Sequence, residues 1–148
     1  MMYDVLDISE YIIKRGWELG NCINCFKLQK VLYFIQAQFM VAKNYPCFSE
    51  KIEAWNFGPV VPAVYKKYIV FGNASIPDNG ITQDFGYIDR EDRETIDAII
   101  KLVLPYSAVD LVRLTQNQLP WMDAIAKGDF AEITNEALRE YFHNDVNE

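Results

Sequence analysis

The chain has 148 residues, of which 51% are hydrophobic and 14% aromatic, so residues 1–148 can bury the core of a single domain. Its formal net charge is −7, which argues against a protein that binds nucleic acid through a broadly basic surface. The chain contains no apolar run as long as a membrane span and opens with no basic-then-apolar leader, so we expect a cytoplasmic protein.

Two amphipathic helices are predicted for the first third of the chain. The first covers residues 7 to 19 and ends at Gly20. The second covers residues 25 to 43, with Asn24 as its N-cap. Its apolar side chains recur with the spacing of one helix face at Leu28, Val31, Leu32, Ile35 and Phe39. Because other large apolar side chains widen this face, we expect the second helix to be central.

A strand, a rigid turn and a helix start follow in quick succession. The strand is predicted over residues 48 to 55. Gly58 then supplies a permissive backbone, and Pro59 keeps that backbone out of the helical region. Pro62 stands where the first turn of a helix tolerates proline, so a third helix is predicted over residues 60 to 71.

The second half of the chain is predicted to be a loop followed by four helices. Residues 73 to 88 are rich in turn formers, and we expect residues 85 to 88 to form a second strand that pairs with the first. The four helices start at capping or proline signals at Asp89, Ser107, Pro120 and Thr134. The predicted fold is therefore mainly α: a single-domain helical bundle of about six to seven helices with a small antiparallel β-hairpin.

The cysteines are predicted to bind no metal. Cys22 and Cys25 have the spacing of half a zinc site, but a structural zinc needs four ligands, and only Cys47 and His143 remain. An odd number of thiols also favours a reducing compartment over a disulfide framework. Because His143 has no organised nucleophile beside it in the sequence, we predict an exposed histidine, no catalytic residues and no cofactor.

Two groups of charged residues are open to a structural or a functional interpretation. One is acidic and opens the fourth helix, and we predict capping and support of the helix dipole by Asp89, Glu91, Asp92 and Glu94. The other is basic and lies on the second and third helices, at Lys27, Lys30, Lys66 and Lys67. The basic residues form either a small patch or separate solvated faces.

Two segments of the chain resemble signatures of the Panacea domain family, the SocA-like antitoxins that are often labelled phage-associated proteins. Residues 27–34 read KLQKVLYF, and residues 53–62 read EAWNFGPVVP, followed by Tyr65. A third signature, a Thr-His pair followed by Pro-Trp, reads Thr115-Gln116 and then Pro120-Trp121. Because Gln116 replaces the histidine, this position can keep a hydrogen bond but cannot titrate.

The resemblance implies an antitoxin, carried on a prophage or other mobile element, that neutralises the toxin of an adjacent gene by direct contact and without catalysis. We expect the cognate toxin to contact the rigid turn and the helix start after it, because a rigid turn loses little entropy on binding. The predicted partner-binding residues are Trp55, Phe57, Gly58, Pro59, Val60, Tyr65, Lys66 and Lys67. The alternative is a nucleic-acid-associated regulator of its own operon, which the acidic composition disfavours.

Overall fold

The structure, a computed structural model, describes residues 2–146. This part of the chain folds into seven α-helices and one small antiparallel sheet, so the predicted mainly α fold is confirmed. The helices are α1 Val5–Glu18, α2 Cys25–Ala42, α3 Pro62–Tyr68, α4 Arg90–Val103, α5 Ala108–Gln116, α6 Leu119–Lys127 and α7 Asn135–Val146, and the strands are β1 Ile52–Trp55, β2 Gly58–Val60 and β3 Glu132–Ile133. Among these helices, none combines the length and the apolar character that crossing a membrane requires.

Helix α2 is the central element, as predicted. Asn24 caps it by accepting a 2.8 Å hydrogen bond from the Lys27 backbone N–H. Helices α1, α3, α4, α5 and α7 and strand β2 all pack against it. The predicted core face is fully buried, with no exposed surface on Leu28, Val31, Leu32, Ile35 or Phe39. Because α2 is surrounded, its flanks are buried as well as this face.

The sheet has the order β2-β1-β3, and both pairs are antiparallel. Strand β1 turns directly into β2, with Trp55 opposite Gly58, and β3 returns to the other edge with Ile133 opposite Ile52. The predicted pairing of residues 85 to 88 is therefore wrong. Phe85 instead packs edge-on against Tyr11 at 5.3 Å, because a buried aromatic ring in a turn can fill the core without strand pairing.

The capping signals predicted from the sequence place most helix starts correctly. Asp89 accepts from the Glu91 N–H, Ser107 accepts from the Asp110 N–H, and Thr134 accepts from the Ala137 N–H. Pro62 occupies the first turn of α3, which is shorter than predicted because a 3₁₀ turn, Ile69–Phe71, ends it.

Candidate partner-binding surface

Several polar side chains of α2 are buried and hold neighbouring segments in place. Gln29 accepts a 2.8 Å hydrogen bond from the Val61 N–H through its side-chain oxygen. Lys27 donates to the Leu104 carbonyl, and Lys30 donates to the Pro59 carbonyl at 3.2 Å. Buried polar groups are stable only when they are hydrogen-bonded, so these side chains have a structural role.

Lys30 lies directly beneath the turn between β1 and β2. It has no exposed surface, and its ammonium nitrogen is 5.5 Å from the centre of the Phe57 ring. Burial lowers the pKa of Lys30 to about 7, since desolvation penalises the charged form. Neither interpretation of the lysines holds for Lys27 and Lys30, which are buried and so belong neither to a basic patch nor to a solvated face. Lys66 and Lys67 are exposed on α3, as solvated residues.

Gly58 fits this position because a larger residue would collide with its neighbours. Its backbone has φ +107°, which side-chain-bearing residues rarely adopt. A Cβ atom at Gly58 would lie 2.8 Å from Cε of Lys30 and 3.0 Å from Oγ1 of Thr115. Thr115 is itself buried on α5 and donates to the Leu111 carbonyl at 2.9 Å. The turn is therefore clamped between α2 and α5.

Two side chains from the α5–α6 region close the turn from its other side. Gln116 donates a 2.7 Å hydrogen bond to the Asn56 carbonyl, so the expectation that this position keeps a hydrogen bond is confirmed. The indole N–H of Trp121 donates to the Trp55 carbonyl at 2.8 Å. The third signature thus holds the backbone of the second through hydrogen bonds to two consecutive carbonyls, those of Trp55 and Asn56.

Five aromatic side chains pack around this turn and form what we call the aromatic cluster: Phe26, Trp55, Phe57, Tyr65 and Phe130. The rings of Trp55 and Tyr65 are 4.8 Å apart, and those of Phe26 and Phe57 are 5.4 Å apart. Four of the five side chains are half-buried, while Phe130 is 60% exposed and lies 5.3 Å from the Trp55 ring. The cluster is therefore a fixed aromatic surface that solvent still reaches.

The structure places the predicted binding residues in two layers. Trp55, Phe57 and Tyr65 share the aromatic cluster. Lys66 and Lys67 are exposed beside it, on α3. In contrast, the inner layer is buried and comprises Gly58, Pro59 and Val60.

Phe26 and Phe130 were not predicted from the sequence. Phe26 directly precedes the KLQKVLYF signature, and Phe130 lies in a loop two residues after Gly128. An aromatic residue in a polar loop was the only available signal for Phe130.

The acidic group at the start of α4 is only partly a set of capping residues. Asp89 is the N-cap, as predicted, but Asp92 is 2% exposed and accepts from the Tyr3 hydroxyl at 2.6 Å. Lys43 lies 2.9 Å from the same carboxylate. Burial opposes ionisation of Asp92, but hydrogen bonds from Tyr3, Lys43 and Tyr45 outweigh it and lower the pKa. The capping prediction is therefore wrong for Asp92, but its predicted place in the first turn of α4, where a carboxylate supports the helix dipole, is confirmed. Asp92 joins α4 to Tyr3, which precedes α1, and to Lys43, which follows α2.

The thiols lie in different surroundings, and none is paired. Cys25 and Cys47 are buried, and burial raises the pKa of both, whereas Cys22 is exposed. Within the described residues, no three His, Cys, Asp or Glu side chains are grouped closely enough to hold a metal ion. His143 is exposed on α7. The prediction that the protein binds no structural metal can be tested directly.

We expect metal removal to leave stability unchanged, because only one cysteine is accessible and a structural zinc needs four ligands. Elemental analysis of the purified protein should show no stoichiometric zinc, and a chelator should leave the melting temperature where it was. A clear drop in melting temperature with the chelator, reversed by added zinc, would overturn this prediction.

Comparisons with known proteins agree with the resemblance of the signatures. The family model described as antitoxin SocA-like, Panacea domain, matches residues 28–122, a range that includes the turn and its clamp. Antitoxin SocA of Caulobacter vibrioides (strain NA1000 / CB15N) is 30% identical over 135 residues, covering 84% of this chain and 71% of SocA. No solved structure matches the chain.

Proposed function

Because the chain belongs to the antitoxin SocA-like Panacea domain family, we propose that it neutralises a toxin by direct protein–protein contact. The toxin would be the product of an adjacent gene, and residues 1–148 would act as one cytoplasmic, non-catalytic domain. The signature residues favour a binding role. Lys30, Gln116 and Trp121 hydrogen-bond the backbone of the turn, and aromatic rings remain at the surface.

The observation that carries this proposal is the aromatic cluster above the clamped turn. Aromatic side chains contribute strongly to protein interfaces because they bury large apolar areas. Here Lys30, Gly58 and Thr115 fix the backbone beneath them, so little conformational freedom remains to be lost on binding. We propose that Trp55, Phe57 and Tyr65 contact the toxin, that Lys66 and Lys67 border the contact, and that the turn holds the site in shape.

A nucleic-acid-binding role has weaker support. Its basic patch would need Lys27 and Lys30 beside Lys66 and Lys67, but the first two side chains are buried and bond backbone carbonyls. Two exposed lysines on a chain of net charge −7 are a small electrostatic footprint for phosphate binding.

Co-expression with the neighbouring gene tests the proposal. We expect that gene to arrest growth when expressed alone and to be harmless when this chain is present. Lys66→Glu should weaken the rescue without lowering the melting temperature, because Lys66 is exposed and borders the proposed contact. Lys101→Glu, an identical charge change at an exposed position on α4, is the matched control and should rescue fully.

Two outcomes would contradict the antitoxin role. One is a neighbouring gene that is harmless alone. The other is continued growth arrest while this chain accumulates as a folded protein.

A further inference from the structure

The outer face of the small sheet carries two carboxylates beside two aromatic rings. Glu53 and Trp55 alternate along β1 and point to the same side, where the Trp55 indole N–H donates to Glu53 at 3.0 Å. Glu132 on β3 lies directly opposite Glu53, and the Phe130 ring packs on Trp55. The other face of the sheet is buried through Ile52, Ala54 and Ile133.

Glu53 and Glu132 are cross-strand neighbours in register without a compensating cation. Like charges directly opposite on neighbouring strands are unfavourable. The ion pairs within residues 2–146 lie elsewhere. In this part of the chain, no lysine or arginine nitrogen comes within 4.0 Å of the carboxylate oxygens of Glu53 or Glu132. A positively charged partner group placed here would relieve this repulsion.

Phe130 is held in a conformation that an aromatic residue rarely adopts. Its φ is +66°, in the left-handed region, and the residue is 60% exposed. The backbone is fixed by a 3.0 Å hydrogen bond from the Phe130 N–H to the Ala54 carbonyl. The ring therefore gains little from burial and lies where it can extend the Trp55 surface outward.

We propose that this outer face binds a cationic, arginine-bearing segment of the toxin. A guanidinium group stacks on aromatic rings and bonds carboxylates at the same time, which matches Trp55 and Phe130 beside Glu53 and Glu132. The inference rests on the proposed function, since it names the chemistry of the partner segment over β1 and β3. Lys66 and Lys67 lie on α3 and would border a separate part of the contact. The same carboxylates repel phosphate, so the face is unsuited to nucleic acid.

A peptide titration tests the chemistry without the toxin. The full chain is titrated in a calorimeter with two synthetic peptides of equal length and equal leucine content, one bearing arginines and the other glutamates. We expect the arginine peptide to bind about tenfold more tightly or better, and the Glu53→Gln/Glu132→Gln variant to lose that preference. Glu91→Gln/Glu94→Gln, which neutralises two exposed carboxylates on α4, is the control and should bind like the parent.

A second variant separates the contribution of the Phe130 ring from that of its backbone conformation. Phe130→Asn removes the ring, and asparagine tolerates a positive φ, so the melting temperature should stay the same while arginine-peptide binding falls about tenfold. The proposal is overturned if both peptides bind equally, if neither binds, or if the Glu53→Gln/Glu132→Gln variant binds like the parent.

Growth rescue by the same variants distinguishes the two proposals. We expect Glu53→Gln/Glu132→Gln and Phe130→Asn to lose rescue while accumulating as folded proteins. If they rescue like the parent, the outer face is not the contact and the antitoxin role stands. If the parent itself fails to rescue, the antitoxin role falls, and the peptide titration alone decides what the face binds.

Discussion

Gly58→Ala is expected to destabilise the protein by about 2–6 kcal/mol, the sum of backbone strain and overpacking. The strain arises because the backbone at Gly58 has φ +107°, and the overpacking because the new methyl group would lie 2.8 Å from Cε of Lys30. Lys30 cannot move away freely, since it is fully buried and bonds the Pro59 carbonyl. Denaturant unfolding of parent and variant measures the loss.

Gly20→Ala is the matched control for this change. Gly20 also has a positive φ, +73°, but a Cβ atom there would meet nothing within 4 Å. Gly20→Ala should therefore lower the free energy of unfolding only by the backbone strain, about 1–2 kcal/mol. Equal losses in the two variants would show that Gly58 is not clamped between α2 and α5.

Lys30→Met is expected to remove a large pH dependence of stability. The pKa of Lys30 is about 7 in the folded protein and about 10.5 when the chain is unfolded. Between these values the unfolded state binds more protons, so the free energy of unfolding contributed by Lys30 rises with pH. The penalty of burying the charge is complete below the folded pKa and is relieved as the pH rises. The free energy of unfolding of the parent should therefore increase relative to Lys30→Met by about 1.4 kcal/mol per pH unit in this window.

Chemical denaturation at about pH 7 and about pH 9 measures this difference. Burial also lowers the pKa of Lys27. Lys27 is present in both proteins, so its contribution cancels. Lys101→Met changes an exposed lysine and should show no pH-dependent difference from the parent. A constant difference between parent and Lys30→Met across the range would mean that Lys30 keeps its ordinary pKa and is hydrated.

The helices were predictable because their signals are local and repeated. The face of α2 shows five apolar residues at helical spacing, and the caps at Asn24 and Ser107 each use a side chain and an N–H a few residues apart. The strand pairing was not predictable in the same way. Strands β2 and β3 have three and two residues, too few for alternation to show, and β3 pairs across a long stretch of chain.

The burial of Lys27 and Lys30 was missed because lysine is usually solvated. A signal was present nonetheless, since α2 is apolar on nearly every side and such a helix is buried all round. Lysines near the start of a surrounded helix must then bond carbonyls of neighbouring segments, as both do here. For the proposed site, the sequence located Trp55, Phe57 and Tyr65, but Phe130 reaches them only through the tertiary fold. That these residues bind a partner stays a prediction.

The most direct test of the central claim, neutralisation by contact, is calorimetric titration of the purified chain with the purified product of the neighbouring gene. We predict saturable binding at a fixed stoichiometry, with the toxin recovered chemically unchanged after the two proteins are separated. Rescue of growth without a measurable complex would contradict the account, and so would a toxin that substoichiometric amounts of this chain cleave or modify.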